Sequence, residues 1–310
     1  MPTTHTTTIF GGNGFVGRHI VKRLAARGDV IKVAIRQPEQ ALMLKPMGDV
    51  GQIVPIQANL LDAESIRAAI AGSDTVINCV GLLTESGRQN FTAIHVEGAG
   101  SLAANAKAAG VQRLVHISAI GADIHAAAHY SSSKGLGEAA VLAGFPTATI
   151  LRPSLVVGPE DKFFNLFAGL ARWLPCLPLM GGGQTKFQPI YVGDVADAVL
   201  AVLNSPATAG KIYELGGADI YSFKQLMQLM LRETGYRRWL LPIPMPLAYL
   251  KALVLEQLPR PFLTRDQLRL LKLDNVVGSD APGLAELGLT PTAIETILPS
   301  YLAAYRNPLP

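Results

Sequence analysis

Residues able to do chemistry cluster in the first half of the chain. Gly11, Gly14 and Gly17 recur at every third position in Ile9-Phe10-Gly11-Gly12-Asn13-Gly14-Phe15-Val16-Gly17-Arg18. A strand that turns sharply into a helix brings backbone N–H groups and the positive end of the helix dipole to one point, which suits a pyrophosphate. Gly11 would allow the tight turn, Gly14 the approach of backbone to phosphate, and Gly17 the packing of helix on strand. Tyr130 and Lys134 are spaced i, i+4 and share one face of a helix. A lysine beside a phenol can lower its pKa and hold a ribose, leaving the phenol as general acid in carbonyl reduction. Arg36 follows the apolar run Val30–Ile35, with no acid before Glu39. A ribose 2′-hydroxyl would need Asp or Glu there, whereas a guanidinium fork suits a 2′-phosphate, and Arg18 can assist. NADP(H) is therefore favoured over NAD(H).

Such groups work only if strands and helices present them together. Thr6–Phe10 reads as a first strand, Phe15–Arg27 as a helix closed by Gly28, and Val30–Ile35 as a second strand. A third strand spans Gln52–Gln57, and Asp62 can cap a helix over Ala63–Ala71 that Gly72 ends. Thr75–Val80 is a fourth strand, Val96–Ala109 a helix, Arg113–Ile117 a fifth strand, Tyr130–Leu142 a helix and Thr147–Leu151 a sixth strand. The alternation predicts an α/β fold with a doubly wound parallel sheet of the Rossmann kind. Continuously apolar strands such as Thr75–Val80 fit a sheet covered on both faces. After Pro153 the rhythm breaks, and Pro159–Thr185 reads as irregular. A returning strand at Gln188–Tyr191, a helix at Asp194–Leu203 and a strand at Lys211–Leu215 follow. Beyond Asp219 the pattern is helical, with capping boxes at Ser222/Gln225 and Thr264/Gln267 and a helix start at Thr290-Pro291. The expected organisation is an NAD(P)-binding domain over 1–218, with an irregular excursion at 159–186, and a smaller, mostly helical lobe over 219–310.

Composition narrows the function. The 310 residues are 49% hydrophobic and 16% charged, so a large core is assured. A net charge of +4 without an arginine or lysine run argues against nucleic acid, and it is compatible with a surface near anionic lipid. Cys79 and Cys176 lie in apolar runs and read as buried free thiols, with no disulfide framework and no zinc spacing. Met1–Thr8 lacks the basic and apolar regions of a signal peptide. The most apolar stretch, Trp239–Leu258, is cut by Pro242, Pro244, Pro246 and Lys251, so no spanning helix is expected. A cytoplasmic protein, peripheral on the inner face of the membrane, is the expectation. His125 and His129 are four apart, but Ala126 replaces the glutamate of a metalloprotease pattern, and no metal is expected. No Walker lysine or GxSxG elbow is present. The cluster Tyr236-Arg237-Arg238-Trp239 precedes the apolar stretch, which reads equally as a partner or membrane surface or as a core helix.

With these residues placed, the chain resembles an atypical member of the short-chain dehydrogenase/reductase superfamily. Gly11–Arg18, the Tyr130/Lys134 pair and Leu151-Arg152-Pro153 carry that likeness. A closer resemblance, to the nucleotide-binding accessory subunits of respiratory complex I and their bacterial relatives, rests on later segments. These are Gly158–Phe163, Gly182–Ala196, Leu263–Gln267 and Asp274–Val277. The resemblance implies a tightly held NADP(H) and a C-terminal lobe against complex I near its quinone-binding junction. It implies that Gly11, Gly12, Asn13, Gly14, Phe15, Val16 and Gly17 surround the pyrophosphate, with Arg18 and Arg36 on the 2′-phosphate. Asn59, with Leu60 after it, would stand by the adenine. Val80-Gly81 would pass under the cofactor, Tyr130 and Lys134 would meet the nicotinamide ribose, and Pro153-Ser154 its carboxamide. The chain departs from the active reductase pattern in places. Ser118-Ala119-Ile120 leaves Ser118 as the one hydroxyl where a Ser/Thr run is usual. His95-Val96-Glu97-Gly98-Ala99 replaces a stretch that often begins with Asn, and Asn59 stands where Asp is frequent. Losing part of the carbonyl-polarising set weakens turnover. The expected function is a complex I accessory or assembly subunit with a largely structural cofactor. The alternative is an NADPH-dependent reductase or epimerase linked to quinone metabolism, with Tyr130, Lys134 and Ser118 catalytic.

Overall fold

A computed structural model describes residues 5–85, 87, 89–256 and 263–307. In chain order its first elements are β1 (Thr6–Phe10), α1 (Phe15–Arg27), β2 (Val30–Ile35), β3 (Ile53–Gln57), α2 (Ala63–Ile70), β4 (Thr75–Asn78), α3 (Ala99–Ala108), β5 (Arg113–Ile117), α4 (His129–Gly144) and β6 (Thr149–Pro153). There follow β7 (Val156–Val157), α5 (Phe164–Trp173), β8 (Cys176–Met180), β9 (Lys186–Phe187), β10 (Ile190–Tyr191), α6 (Val192–Asn204) and β11 (Ile212–Leu215). Last come β12 (Tyr221–Ser222), α7 (Phe223–Thr234), β13 (Trp239–Ile243), α8 (Met245–Leu255), α9 (Arg265–Leu270) and α10 (Ile294–Leu302).

The chain divides into two units. The first comprises residues up to Pro153, Gly193–Leu215 and Asp280–Leu289. Its core is a seven-stranded sheet in the order β11-β6-β5-β4-β1-β2-β3, with every pairing parallel. The chain moves outward from β1 to β2 and β3, then crosses back to β4 on the other side of β1. The carboxyl ends of β1 and β4 therefore flank a switch point, where open α/β sheets bind ligands. One core cluster against the sheet is apolar, from Phe10 and Val76 to Ala103, Val141 and Phe145. This is the Rossmann architecture that the sequence predicts.

The second unit comprises Ser154–Val192, Gly216–Ser279 and residues from Thr290 onward. The region expected to be irregular, Pro159–Thr185, contains α5 and β8. Helix α5 buries Phe164, Ala168 and Ala171 on one face. Strand β8 finds its parallel partner only in the distant β13, from Cys176↔Trp239 to Met180↔Ile243. That pairing is non-local and leaves no signal within the segment. Helices α5, α7 and α10 share a core with Phe163, Phe187 and Phe223. Both capping boxes form, at Ser222/Gln225 and Thr264/Gln267. The helix start expected at Thr290-Pro291 falls instead at Ile294, the first residue of α10 to enter the core. Helix α10 is tied down by Tyr301, whose hydroxyl donates to buried Asp161 at 2.6 Å. Asp161 also accepts the Phe164 N–H, and burial raises its carboxyl above the ordinary range.

Helix α8 answers the question left by the apolar stretch. It buries Ala248 and Ala252 against Ile243 and Leu268, while Leu250 (61%) and Val254 (67%) are exposed. Its outer face is therefore surface; residues 257 and 258 of the stretch lie outside the described residues. Among the described residues no helix is long and apolar enough to cross a membrane. Cys79 and Cys176 are free thiols, half-buried rather than fully buried.

Candidate nucleotide site

At the end of β1 the turn is built from closely packed glycines. Gly11 has φ +76, and a Cβ there would lie 3.2 Å from the Cys79 carbonyl carbon. A Cβ on Gly17 would lie 2.3 Å from the Gly11 carbonyl oxygen and 2.7 Å from the Gly12 Cα. Gly12 faces Ile9, at 2.8 Å from a would-be Cβ. The Gly14 N–H donates to the Gly11 carbonyl at 3.0 Å and closes the turn. Gly14 then caps α1 in extended conformation, and no side chain satisfies the helix's first N–H groups. Asn13 precedes the cap, and Phe15 and Val16 are the first two residues of α1. An uncapped helix start in a cradle of bare backbone is a site for phosphate.

The guanidinium of Arg18 folds back over this turn, its Nη2 donating to the Asn13 carbonyl at 3.1 Å. Arg36 is exposed where β2 ends. After β3, the Asn59 side chain accepts the Leu61 N–H at 3.1 Å in a local turn at the surface. Leu60 points the other way, into the core.

Beyond β4 the chain leaves the ladder two residues earlier than the apolar run implies. The Asn78 side chain accepts the Val80 N–H at 3.1 Å and holds His116 through its amide. Gly81 then passes over Lys134, with a would-be Cβ 3.4 Å from the ammonium. Lys134 is buried and donates to the Ile117 carbonyl at 3.3 Å. Burial lowers it to about 8, against the opposing pull of Glu138 one turn along α4. Tyr130 shares the face of α4 with Lys134. Its phenol is not acidified as the spacing implied, because burial pushes it up to about 12.

Ser118 is brought to the end of β5, but its hydroxyl donates to the Glu138 carboxylate. Glu138 in turn takes three bonds from Arg152, at 2.6 Å from Nη2 and at 2.9 and 3.2 Å from Nε. Arg152 also reaches Glu214 at 3.4 Å. Sequence reasoning missed this network; the one available signal was Glu138 four residues after Lys134. Pro153 ends β6 and accepts the Ile120 N–H at 3.1 Å. The hydroxyl of Ser154 is 2.7 Å from the Asn275 side-chain oxygen, within the second unit.

The state of Lys134 gives a measurable consequence. A free lysine titrates near roughly 10.4. Between about 8 and that value the unfolded chain keeps a proton that the folded protein has released, so stability rises with pH. Lys134→Met removes the burial cost. Urea unfolding should find it more stable than the parent at about pH 7, by up to about 3 kcal/mol, with the gap closing towards about pH 10.

The sheet, its switch point and the glycine cradle define a dinucleotide-binding protein. The chain belongs to the NAD dependent epimerase/dehydratase family, whose model matches residues 7–216. Within that family it is similar over nearly its whole length to mitochondrial respiratory subunits. It is 35% identical to NADH dehydrogenase (ubiquinone) 1 alpha subcomplex subunit 9 of Arabidopsis thaliana, over 97% of this chain and 78% of that protein. It is 31% identical to the NADH-ubiquinone oxidoreductase 40 kDa subunit of Neurospora crassa, over 98% of this chain and 80% of that one. Among solved structures the fold matches DesIV, a dTDP-glucose 4,6-dehydratase of Streptomyces venezuelae, with a TM-score of 0.74 at 20% identity over 97% and 96% of the two chains.

Proposed function

We propose that this chain is an NADP(H)-holding accessory or assembly subunit of respiratory complex I, with the nucleotide kept as part of the structure. The near-full-length similarity to complex I subunits carries the reading. When bound, the nicotinamide would supply hydride chemistry. The chain's own residues serve mainly to hold it. Gly11–Gly17 cradle the pyrophosphate, and Arg18 and Arg36 take the 2′-phosphate, where an acid would select NAD(H). Asn59 and Leu60 border the adenine side, and Val80-Gly81 form the bed beneath the nicotinamide half. Tyr130 and Lys134 meet the ribose, and Pro153 lies at the carboxamide end.

Two features speak for holding over turnover. Ser118 has committed its hydroxyl to Glu138, so it does not polarise a substrate carbonyl. The phenol of Tyr130, raised to about 12, is a poor match to acid catalysis near neutral pH. The second unit supplies a docking surface: Leu247, Leu250, Leu253 and Val254 of α8 with exposed Trp239. That surface suits complex I subunits near the quinone-binding junction, on the inner face of the membrane, with Arg237 and Lys251 towards anionic headgroups. A bound nucleotide would then stabilise the fold by mass action. Denaturing the purified protein should release NADP(H) in near-stoichiometric amount. Release of NAD(H) would overturn the assignment of Arg18 and Arg36, and release of no nucleotide would overturn the holding role.

A further inference from the structure

His95 stands where the superfamily often has Asn, and the structure shows what it does instead. The ring is buried (2% exposed) within a π-helical stretch, Thr92–Gly98, that leads into α3. Such stretches are rare and recur at functional sites. Its Nε2 accepts the Leu82 N–H at 2.9 Å. A backbone N–H can only donate, so Nε2 is the unprotonated nitrogen and Nδ1 carries the hydrogen. Nδ1–H donates to Ser133 Oγ at 2.9 Å, and Ser133 donates to the Tyr130 carbonyl at 2.8 Å. A continuous line of donors therefore runs from the loop after β4 to the first turn of α4. The ring also stacks on Phe91 at 5.3 Å, and Tyr130 meets it edge-on at 5.8 Å. On the other side, a Cβ on Gly81 would lie 3.9 Å from Nε2 and 3.4 Å from the Lys134 ammonium. Burial and the Lys134 charge hold the ring's pKa down to about 3, so it stays neutral and the line persists at any ordinary pH.

We infer that His95 is a positioning residue for the nicotinamide half of the dinucleotide: it fixes the separation between the Gly81-Leu82 bed and the Tyr130/Lys134 pair. The inference rests on the nucleotide reading proposed above. The bonds of this line end at the Leu82 N–H, Ser133 and the Tyr130 carbonyl and none is made to the glycine turn, so the larger effect is expected on the nicotinamide half.

The test is calorimetric titration of the full-length chain with two probes, NADPH and 2′-phospho-ADP-ribose, which lacks the nicotinamide. His95→Phe keeps the stacking but leaves the Leu82 N–H without its acceptor and the Ser133 oxygen without the ring N–H it accepts. It should weaken NADPH about tenfold, the order expected when one buried polar group loses its bond, and leave the fragment within about twofold. His95→Gln, which restores an acceptor for Leu82, should recover most of the loss. Should the Phe variant fail to fold, His95→Asn replaces it, since it keeps the donor towards Ser133 and drops the acceptor for Leu82. Equal weakening of both probes would reduce His95 to a general packing residue and overturn the inference, as would no change in either. If the parent chain binds neither probe, the nucleotide reading itself has failed, and the inference goes with it.

Discussion

Gly17→Ala should abolish tight nucleotide binding while leaving the sequence otherwise untouched. In an exposed helix this exchange is favourable, by about 1 kcal/mol. Here the new methyl would stand 2.3 Å from the Gly11 carbonyl oxygen and 2.7 Å from the Gly12 Cα, both backbone atoms of the cradle itself. Neither can swing aside as a side chain would. Helix α1 must move off the turn, and the cradle opens. Overpacking of this kind costs about 2–3 kcal/mol of stability. The phosphate site loses its aligned N–H groups in the same step, so nucleotide affinity should fall on the order of a hundredfold. Gly169→Ala is the matched control. Gly169 also sits inside a helix, α5, but a Cβ there meets nothing within 4 Å. It should gain about 0.5–1 kcal/mol and bind nucleotide as the parent does. Thermal unfolding with and without NADPH reads both effects. A Gly17→Ala protein that still gains stability from nucleotide would refute the role given to the turn.

Glu138→Ala should be strongly destabilising. Glu138 is 5% exposed at its side chain and carries three bonds from Arg152, whose own side chain is 22% exposed. Its removal leaves a largely buried guanidinium with only the longer contact to Glu214. Stripping one partner from a buried pair costs about 3–5 kcal/mol, and the partial exposure of Arg152 puts the expectation near the lower end. A second readout separates this from simple loss of packing. The charge of Glu138 supports the protonated form of Lys134. Without it, Lys134 should titrate below about 8, and any nucleotide affinity that depends on the ammonium should fade at lower pH than in the parent. Urea unfolding and a pH series of NADPH titrations measure the two. Glu138→Gln, which keeps an acceptor for Ser118 and Arg152 but not the charge, should lose less stability than alanine while showing the same shift in profile. An unshifted profile in both variants would contradict the coupling.

What the sequence reveals about this molecule divides along the reach of its contacts. The parallel sheet and the glycine turn are written locally, in apolar runs, helix stops and glycine spacing, and the structure reproduces β1, α1, β2 and β5 to the residue. The Tyr130/Lys134 pair is legible for the same reason, since a helix converts spacing directly into a shared face. The state of those residues is not legible. Whether a phenol is acidified depends on burial and on which groups face it, and here burial raises it. Ser118 shows the same limit: its type hinted at a polarising role, but its partner, Glu138, arrives from another element. In the second unit, β8 and β13 are separated in the chain by two helices, α6 and α7, and four strands, β9 to β12, and they pair only with each other. His95 was visible as a departure from a pattern, yet its work became apparent only once Leu82, Ser133 and Tyr130 had been brought to it.

As an accessory or assembly subunit, this chain should be found with respiratory complex I. Native electrophoresis of gently solubilised membranes from the source cell, probed for this protein, tests it most directly. Comigration with active complex I or with one of its assembly intermediates is the expected result. Migration as a small free species alone would contradict it, and would return Tyr130 and Lys134 to consideration as the acid and cofactor-holding base of a reductase.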